Sequence, residues 1–258
     1  MSKQMRRYNV TEFINERGSV SFDELQRHFP SVSDMTLRTD LKELAERGEI
    51  IRVRGGARSI NTSTHAGDLY FRRLQRNVDK KDQIAQKAEH YLREQLDKNP
   101  NLSIYLGSGS TITDIANHFP DEWCTVFTSS ISCAYALSAL KKPTVTVCGG
   151  TLNRFNCCCD SPLNLAYLER INFDIMFLAV AGYSDVEGFT CVKEIMDETL
   201  GSIIKRSKKI IVPIDSTKIG VAYPITHATL DDVDMIISDD GIPEKTRQHF
   251  IDSGIQVL

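Results

Sequence analysis

One stretch of the sequence has the residue types that hold an anion. The apolar run LSIYL is followed by Gly107, Ser108, Gly109, Ser110 and Thr111, and then directly by a helical pattern. Glycines let the backbone approach an anion closely, the free N–H groups of a helix start point toward it, and hydroxyls add donors. The loop lacks the Gly-Lys pair of a Walker loop and the GxGxxG spacing of dinucleotide-binding loops. It predicts a phosphate cradle, with a hydroxyl-capped strand-to-helix turn as the alternative.

Other polar groups and glycines follow further apolar runs in the same region. From residue 102 onward, the runs LSIYL, CTVFT, TVTVC, DIMFLAV, KIIVPI and VDMIIS alternate with helical segments, as parallel strands joined by helical crossovers do. Such a sheet binds ligands beyond the carboxyl ends of its strands. Lys218 follows one run, where its cation can pair with a phosphate. We expect one polar pocket, formed by the loop and Lys218 together with the residues Ser129, Ser130, Gly149, Gly150 and Gly182.

A second set of residues, near the amino terminus, has the types that contact DNA. The segment DMTLRTDLKELAER follows Ser33, which can cap a helix, and carries Leu37, Leu41 and Leu44 on one face. Arg38 in its first turn suits the bidentate contact with guanine, which gives about 1–3 kcal/mol of discrimination. We predict a recognition helix whose DNA contacts come from Ser33, Met35, Thr36, Arg38 and Thr39.

Two further helices and a β-ribbon are expected to position the recognition helix. Apolar spacing predicts a helix over residues 6–17, and Ser21 with Glu24 forms a capping-box pattern that starts a helix ending at Pro30. The tight turn before the third helix completes a helix-turn-helix. The stretch EIIRVRGGARS predicts a hairpin wing. Contacts to phosphates or the minor groove are expected from Arg52, Arg54 and Arg58. The alternative is a protein-interaction module with these arginines as surface charge.

Length and composition suit two globular domains. The chain has 258 residues, of which 41% are hydrophobic and 25% charged. The polar residues 59–68 read as a linker between a DNA-binding domain over 1–58 and an effector domain over 69–258. Residues 1–60 carry 11 Lys and Arg against 9 Asp and Glu, and the remainder carries 20 against 25. With no signal peptide and no apolar run near the ~20 residues of a membrane helix, we expect a cytoplasmic protein without a membrane partner.

The remaining titratable residues predict no metal site, no cofactor and no disulfide framework. Cys157, Cys158 and Cys159 are adjacent and cannot easily converge on one zinc, so buried or pocket-flanking thiols are favoured over a metal or redox role. The basic residues between 72 and 81 favour a solvated helix face over a contact with DNA or an acidic neighbour. No metal ligands are predicted.

Two groups of motifs carry a family resemblance. The stretch VSDMTLRTDLKELAERGEIIRVRGGA resembles the signature of the DeoR family of bacterial transcription regulators. The pieces GSGST, FTSS, VCGGTLNR, FDIMFLAVAGYSDVEGFT and DSTKIG are similar to the family's effector domain, which is related in fold to ribose-5-phosphate isomerase and the CoA-transferase group. Departures from the family pattern are Thr39, where a second arginine is common, and Gly107, where Asp is usual.

The resemblance implies a winged helix-turn-helix followed by a mostly parallel α/β effector domain. It also implies operator DNA as a partner, repression of a carbohydrate-utilisation operon, and release by a phosphorylated sugar or related metabolite. Carried over, the effector contacts are Gly109, Ser110, Thr111 and Lys218. A homo-oligomer is expected because helix-turn-helix proteins usually bind paired half-sites as dimers.

The alternative is a sugar-phosphate isomerase-like enzyme with an accessory DNA-binding module. Isomerisation needs a general base and an acid around the first two carbons of the sugar. The acidic motif of those isomerases falls on Val180, Ala181, Gly182 and Tyr183, which include no carboxylate. We therefore predict binding without turnover and no catalytic residues.

Overall fold

The computed structural model describes residues 3–47, 49–53, 55–59, 70–160, 165–192 and 197–258. The chain divides into two compact units, Met1–Asp68 and Leu69–Leu258. Within the described residues, no helix combines the length and the apolar character needed to cross a bilayer.

The N-terminal unit is a winged helix-turn-helix, which confirms that part of the predicted fold class. Its elements are α1 (Lys3–Arg17), β1 (Ser19–Ser21), α2 (Phe22–His28), α3 (Asp34–Glu46), β2 (Ile50–Val53) and β3 (Gly56–Ser59). The predicted capping box starts α2, since Ser21 Oγ accepts from Glu24 N and the Glu24 carboxylate accepts from Ser21 N. Strand β1 was not predicted; it pairs with β3 to make the antiparallel order β1-β3-β2.

The C-terminal unit alternates helices and strands. Its helices are α4 (Tyr70–Leu74), α5 (Val78–Lys98), α6 (Ser110–Asn117), α7 (Ile131–Leu137), α8 (Leu165–Leu168), α9 (Asp197–Lys205) and α10 (Glu244–Asp252). Its strands are β4 (Ser103–Leu106), β5 (Thr125–Thr128), β6 (Thr144–Val147), β7 (Thr151–Asn153), β8 (Cys158–Asp160), β9 (Ile175–Phe177), β10 (Gly182–Ser184), β11 (Gly188–Cys191), β12 (Ile210–Pro213), β13 (Ile225–Ala228), β14 (Met235–Ile237) and β15 (Gln256–Val257).

A seven-stranded parallel sheet forms the centre of this unit. The strand order is β15-β14-β12-β9-β4-β5-β6. Residues of β4 alternate between two cores, because Ile104 and Leu106 pack in one cluster and Tyr105 in the other. Burial on both faces explains why the strands read as continuous apolar runs. All six predicted runs are strands of this sheet, and the α/β part of the fold class is confirmed.

The strand order fixes where a ligand site belongs. From β4 the chain moves outward through β5 and β6, and it returns on the other side of β4 to build β9, β12, β14 and β15. The topological switch point therefore lies between β4 and β9, at their carboxyl ends. Two antiparallel additions, the β7–β8 hairpin and the sheet β10-β11-β13, complete the unit.

Candidate functional site

The glycine-serine loop opens α6 at the switch point. Gly109 is the N-cap of α6, with φ 148° and no side chain to cap the helix. The first helical hydrogen bond runs from Thr113 N to Gly109 O at 2.9 Å. The amino end of α6 is therefore not capped by a side chain, and it carries the positive end of the helix dipole.

Close packing against the segment after β9 requires the two glycines. Gly107 N donates to Phe177 O at 3.1 Å, and a Cβ on Gly107 would lie 2.9 Å from the same oxygen. Gly109 combines its positive φ with an approach to Ala179, whose Cβ would lie 3.5 Å from an added Cβ. A larger residue at position 107 would displace the loop from β9, whereas at position 109 the positive φ, and not crowding, favours glycine.

Lys218 approaches the switch point from the other side. It closes the 3₁₀ turn Ser216–Lys218 after β12. Its Nζ donates to Val180 O at 3.0 Å and lies 3.7 Å from Asp215 Oδ2. Asp215 is buried and also accepts from Asn77 Nδ2 at 3.2 Å. The predicted lysine and the predicted loop thus contact the same short segment, Phe177–Val180.

Lys81 is a buried cation that the sequence analysis did not identify as a site residue. Its Nζ donates to Arg73 O at 2.7 Å and to Leu74 O at 3.0 Å, the last carbonyls of α4. Burial lowers the pKa of Lys81, and Lys218 lowers it further, whereas Asp114 and Asp215 act in the opposite direction. The sequence does contain a signal of this burial, because Lys81 lies at helical spacing in the same row of α5 as the apolar residues Ile84, Ala85 and Ala88.

The interpretation of the basic segment 72–81 as a solvated helix face is wrong for three of its members. Besides Lys81, Arg73 Nη2 donates to Phe155 O at 2.9 Å and to Asn156 Oδ1 at 2.6 Å. Lys80 Nζ donates to Asp239 Oδ2 at 2.6 Å and to Ser216 Oγ at 2.7 Å. These side chains attach α4 and the start of α5 to the carboxyl edge of the sheet.

The other predicted effector residues lie at neighbouring strand ends and have structural partners there. Ser130 is the N-cap of α7 and accepts from Cys133 N at 3.2 Å, while Ser129 O accepts from Cys159 N at 2.8 Å. Gly182 is buried in β10, where a Cβ would lie 2.2 Å from Val221 O. Gly149 and Gly150 follow β6, which β5 separates from β4. Within the loop itself Thr111 is buried, whereas Ser108 and Ser110 are partly exposed.

The three adjacent cysteines lie on and beside β8. Cys158 is buried and Cys157 has a left-handed φ of 52°. Burial raises the pKa of the Cys158 thiol to about 12. Within the described part of the chain, no group of three His, Cys, Asp or Glu residues is arranged to hold a metal ion.

The predicted recognition helix exposes most of its predicted contact residues. Met35, Arg38 and Thr39 are exposed, and the Arg38 guanidinium lies over the Phe22 ring at 4.1 Å. Ser33 caps α3, and its hydroxyl lies 2.8 Å from the Thr36 hydroxyl.

The wing does not bring its described arginines onto one face. Arg58 is opposite Ile51 and Arg52 is opposite Ala57 in the β2–β3 register, so the two arginines project from opposite faces of the ribbon. Arg54 lies outside the described residues.

A buried carboxylate in α3 fixes the recognition helix to α1. Asp40 accepts from Arg6 Nε at 2.6 Å and from Arg7 Nε at 2.7 Å, and Arg7 also pairs with Glu43. Burial alone would raise the pKa of Asp40, but the hydrogen bonds from Arg6 and Arg7 hold it below its usual range. The sequence analysis missed this cluster, although Asp40 stands among the leucines of the apolar face of α3.

Comparisons with known proteins agree on one family over both units. A model described as the DeoR C terminal sensor domain matches residues 76–240, and a DeoR-like helix-turn-helix domain model matches residues 6–63. The HTH-type transcriptional regulator GolR of Listeria innocua is 28% identical over 256 residues, covering 98% of this chain and 96% of the relative. The lactose phosphotransferase system repressor of Streptococcus mutans is 28% identical over 242 residues, covering 93% of each.

Solved structures match the chain more distantly. Ribose 5-phosphate isomerase A of Methanocaldococcus jannaschii is 13% identical, with 55% of each chain covered and a TM-score of 0.38. A probable sor operon regulator of Shigella flexneri is 14% identical, with 52% of this chain and 75% of that chain covered and a TM-score of 0.34.

Proposed function

The chain belongs to the DeoR family of transcriptional regulators, and from that premise we propose that it represses a carbohydrate-utilisation operon until a phosphorylated sugar or related metabolite binds its C-terminal unit. The family consists of regulators and not of enzymes. Repression of carbohydrate genes is supported by the relative named a lactose phosphotransferase system repressor.

One observation supports the phosphorylated effector above all. The uncapped amino end of α6 and the cations of Lys81 and Lys218 belong to one region of the C-terminal unit, at the switch point of the sheet. A helix amino end and two lysines attract an anion, and a phosphate group carries two negative charges near neutral pH. Gly109 has no side chain to cover the amino end of α6, so an anion can approach the backbone closely there. A neutral sugar would use none of this electrostatic attraction.

Release from DNA follows if the effector binds one state of the protein better than another. The effector changes operator affinity only by its differential affinity for the two states, and the operator changes effector affinity by the same factor. The proposed DNA contacts are Ser33, Met35, Thr36, Arg38, Thr39, Arg52, Arg54 and Arg58. The proposed effector contacts are Lys81, Lys218 and the loop 107–111, and the remaining predicted pocket residues flank them.

Thermal unfolding of the full chain tests the effector class. Glycerol 3-phosphate, ribose 5-phosphate and fructose 6-phosphate are compared with glycerol, ribose and fructose at equal concentration. We expect only phosphorylated compounds to raise the unfolding temperature, since binding at 100 times Kd stabilises by about 2.7 kcal/mol. Equal stabilisation by a sugar and its phosphate would contradict the cradle. Conversion of any compound to an isomer would support the enzyme alternative.

Arg38→Ala tests the recognition helix. The operator is first isolated by selecting genomic fragments that bind the full chain. We expect Arg38→Ala to weaken binding to that fragment by about 5- to 150-fold, equivalent to 1–3 kcal/mol. Arg47→Ala, at the other end of α3, is the matched control and should bind nearly as the wild type does. Unchanged binding by Arg38→Ala would assign base recognition to another element.

A further inference from the structure

The parallel sheet ends at β6 in an open edge. Among the residues that the structure describes, no strand pairs with the outer side of β6. Thr144 N donates to Cys124 O at 2.9 Å and Cys148 N donates to Thr128 O at 2.8 Å, both toward β5. Because peptide groups alternate along a parallel strand, those of Val145 and Val147 face away from the sheet. Two donors and two acceptors of the backbone are therefore directed outward at this edge.

Exposed apolar side chains surround the same edge. Val147 on β6 is 49% exposed, and Tyr135 on α7 is 83% exposed. Ile131 lies one turn before Tyr135 on the same face of α7, which packs against β5 and β6, and it is also exposed. Leu152 on β7, just beyond β6, is a further exposed apolar residue. Large apolar side chains gathered on one part of a surface are typical of an interaction site.

The elements at this edge are also depleted of charge. Between Glu122 and Asp160 the chain has no carboxylate side chain, although 34 of its 258 residues are Asp or Glu. The charged residues of this stretch are Lys141 and Lys142 before β6 and Arg154 after β7, and Lys142 pairs with Glu122 at 2.7 Å. Soluble proteins often protect edge strands with charged residues on the strand itself. β6, with the sequence TVTV, has none.

We propose that β6, α7 and β7 form the surface through which two copies of this chain associate. A twofold axis beside the edge places β6 antiparallel to β6 of the second copy, so that the outward peptide groups of each strand pair with those of the other. The edge is self-complementary, as a twofold interface requires, because β6 carries no charged residue and its outward donors and acceptors can pair with those of an identical antiparallel strand. This assignment depends on neither the operator nor the effector.

Sedimentation equilibrium of the full chain tests the surface. We expect the wild type to dimerise at micromolar concentration. Val147→Lys places a charge on the edge strand and should raise the dimer dissociation constant at least about 10-fold, since a buried unpaired charge is strongly unfavourable in an interface. Tyr135→Lys should act in the same direction. Val186→Lys is the matched control, because Val186 is 89% exposed in the turn between β10 and β11, and it should associate as the wild type does.

Circular dichroism melting curves establish that each variant is folded. Because Tyr135 is largely exposed, Tyr135→Lys should fold normally, and it can still test the surface if Val147→Lys unfolds the sheet edge. A wild-type chain that stays monomeric at 100 times the working concentration would overturn the proposal and assign the surface to a different partner. So would dimers of Val147→Lys and Tyr135→Lys that are as tight as those of Val186→Lys.

Discussion

The two units both bury cations, but they neutralise them differently. In the N-terminal unit, Arg6 and Arg7 donate to the buried carboxylate of Asp40. In the C-terminal unit, Lys81 donates to two backbone carbonyls, and within the described chain no carboxylate lies within 4.0 Å of its Nζ. Lys218 likewise donates to a carbonyl and keeps its nearest carboxylate at 3.7 Å.

This difference separates a scaffold from a proposed binding site. Against the effect of burial, the hydrogen bonds from Arg6 and Arg7 hold the pKa of Asp40 down, so its charge is retained and α1 stays attached to α3. Burial without a paired carboxylate lowers the pKa of Lys81, which means that its charged form is less stable in the free protein than it would be in water. A bound phosphate would supply the missing negative charge. The first cluster is electrostatically complete, whereas the second gains from a ligand.

The largest expected effect comes from breaking the complete cluster. Asp40→Ala removes the buried carboxylate that Arg6 and Arg7 share and leaves the buried Arg7 with Glu43 alone. Breaking a buried ion pair typically costs about 3–5 kcal/mol. Hydrogen–deuterium exchange of peptides from residues 34–46 in the full chain measures the loss. We expect faster exchange in α3 and loss of operator binding.

Asp23→Ala is the control for that change, because Asp23 is an exposed acidic residue in the first turn of the neighbouring helix α2. It should leave exchange in α3 nearly unchanged. If α3 exchanged no faster in Asp40→Ala than in Asp23→Ala, the cluster would not hold the recognition helix. The claim that paired cations serve as a scaffold in the N-terminal unit would then be wrong.

Lys81→Met tests the other half of the comparison. Methionine keeps the length of the buried side chain but removes its charge and its hydrogen bonds to Arg73 O and Leu74 O. The relieved burial of the charge offsets part of that loss, so the free energy of unfolding should fall by no more than about 1–3 kcal/mol. Binding of the most stabilising sugar phosphate should weaken by about 10- to 150-fold, the loss of a charged hydrogen bond of 1.5–3 kcal/mol. Isothermal titration calorimetry measures the affinity.

Lys98→Met, at the exposed end of the same helix, is the matched control and should bind as the wild type does. A Lys81→Met variant that unfolds readily, but binds the sugar phosphate normally, would make Lys81 a scaffold residue like Asp40. The distinction between paired and unpaired buried cations would then fail.

The sequence predicted the three helices and the hairpin of the N-terminal unit and six strands of the parallel sheet, because each has a strong local signal. The short strands β1, β7, β8, β10, β11, β13 and β15 were not predicted. Leucines at helical spacing identify α3, and Ser21 with Glu24 marks the start of α2. In the sheet, burial of β4 on both faces produces the unbroken run LSIYL. The glycine loop was likewise visible as a strand followed directly by a helix start.

The residues that complete each cluster were not predicted, because their partners are distant in sequence. Asp40 meets arginines more than 30 positions earlier, and Lys80 meets Asp239 across most of the C-terminal unit. Periodicity reports which face of a helix is buried, but it does not report which buried position carries a charge with a partner. Asp40 and Lys81 both interrupt apolar rows, and that interruption is the signal that sequence reasoning can use elsewhere.

The smallest expected effect concerns a hydroxyl group near the proposed cradle. Tyr70 is buried, and its hydroxyl donates to Thr113 Oγ1 at 2.8 Å, which in turn donates to Gly109 O at 3.0 Å. Tyr70→Phe removes the neutral hydrogen bond to Thr113 Oγ1 and should lower the free energy of unfolding of the C-terminal unit by about 1 kcal/mol. Tyr167→Phe, on an exposed side chain of α8, should have no effect in the same urea titration.

If charge defines the anion site, Tyr70→Phe will weaken binding of the sugar phosphate far less than Lys81→Met does. A loss as large as that of Lys81→Met would show that the hydroxyls around Gly109 contribute as much to holding the anion as the charge of Lys81 does.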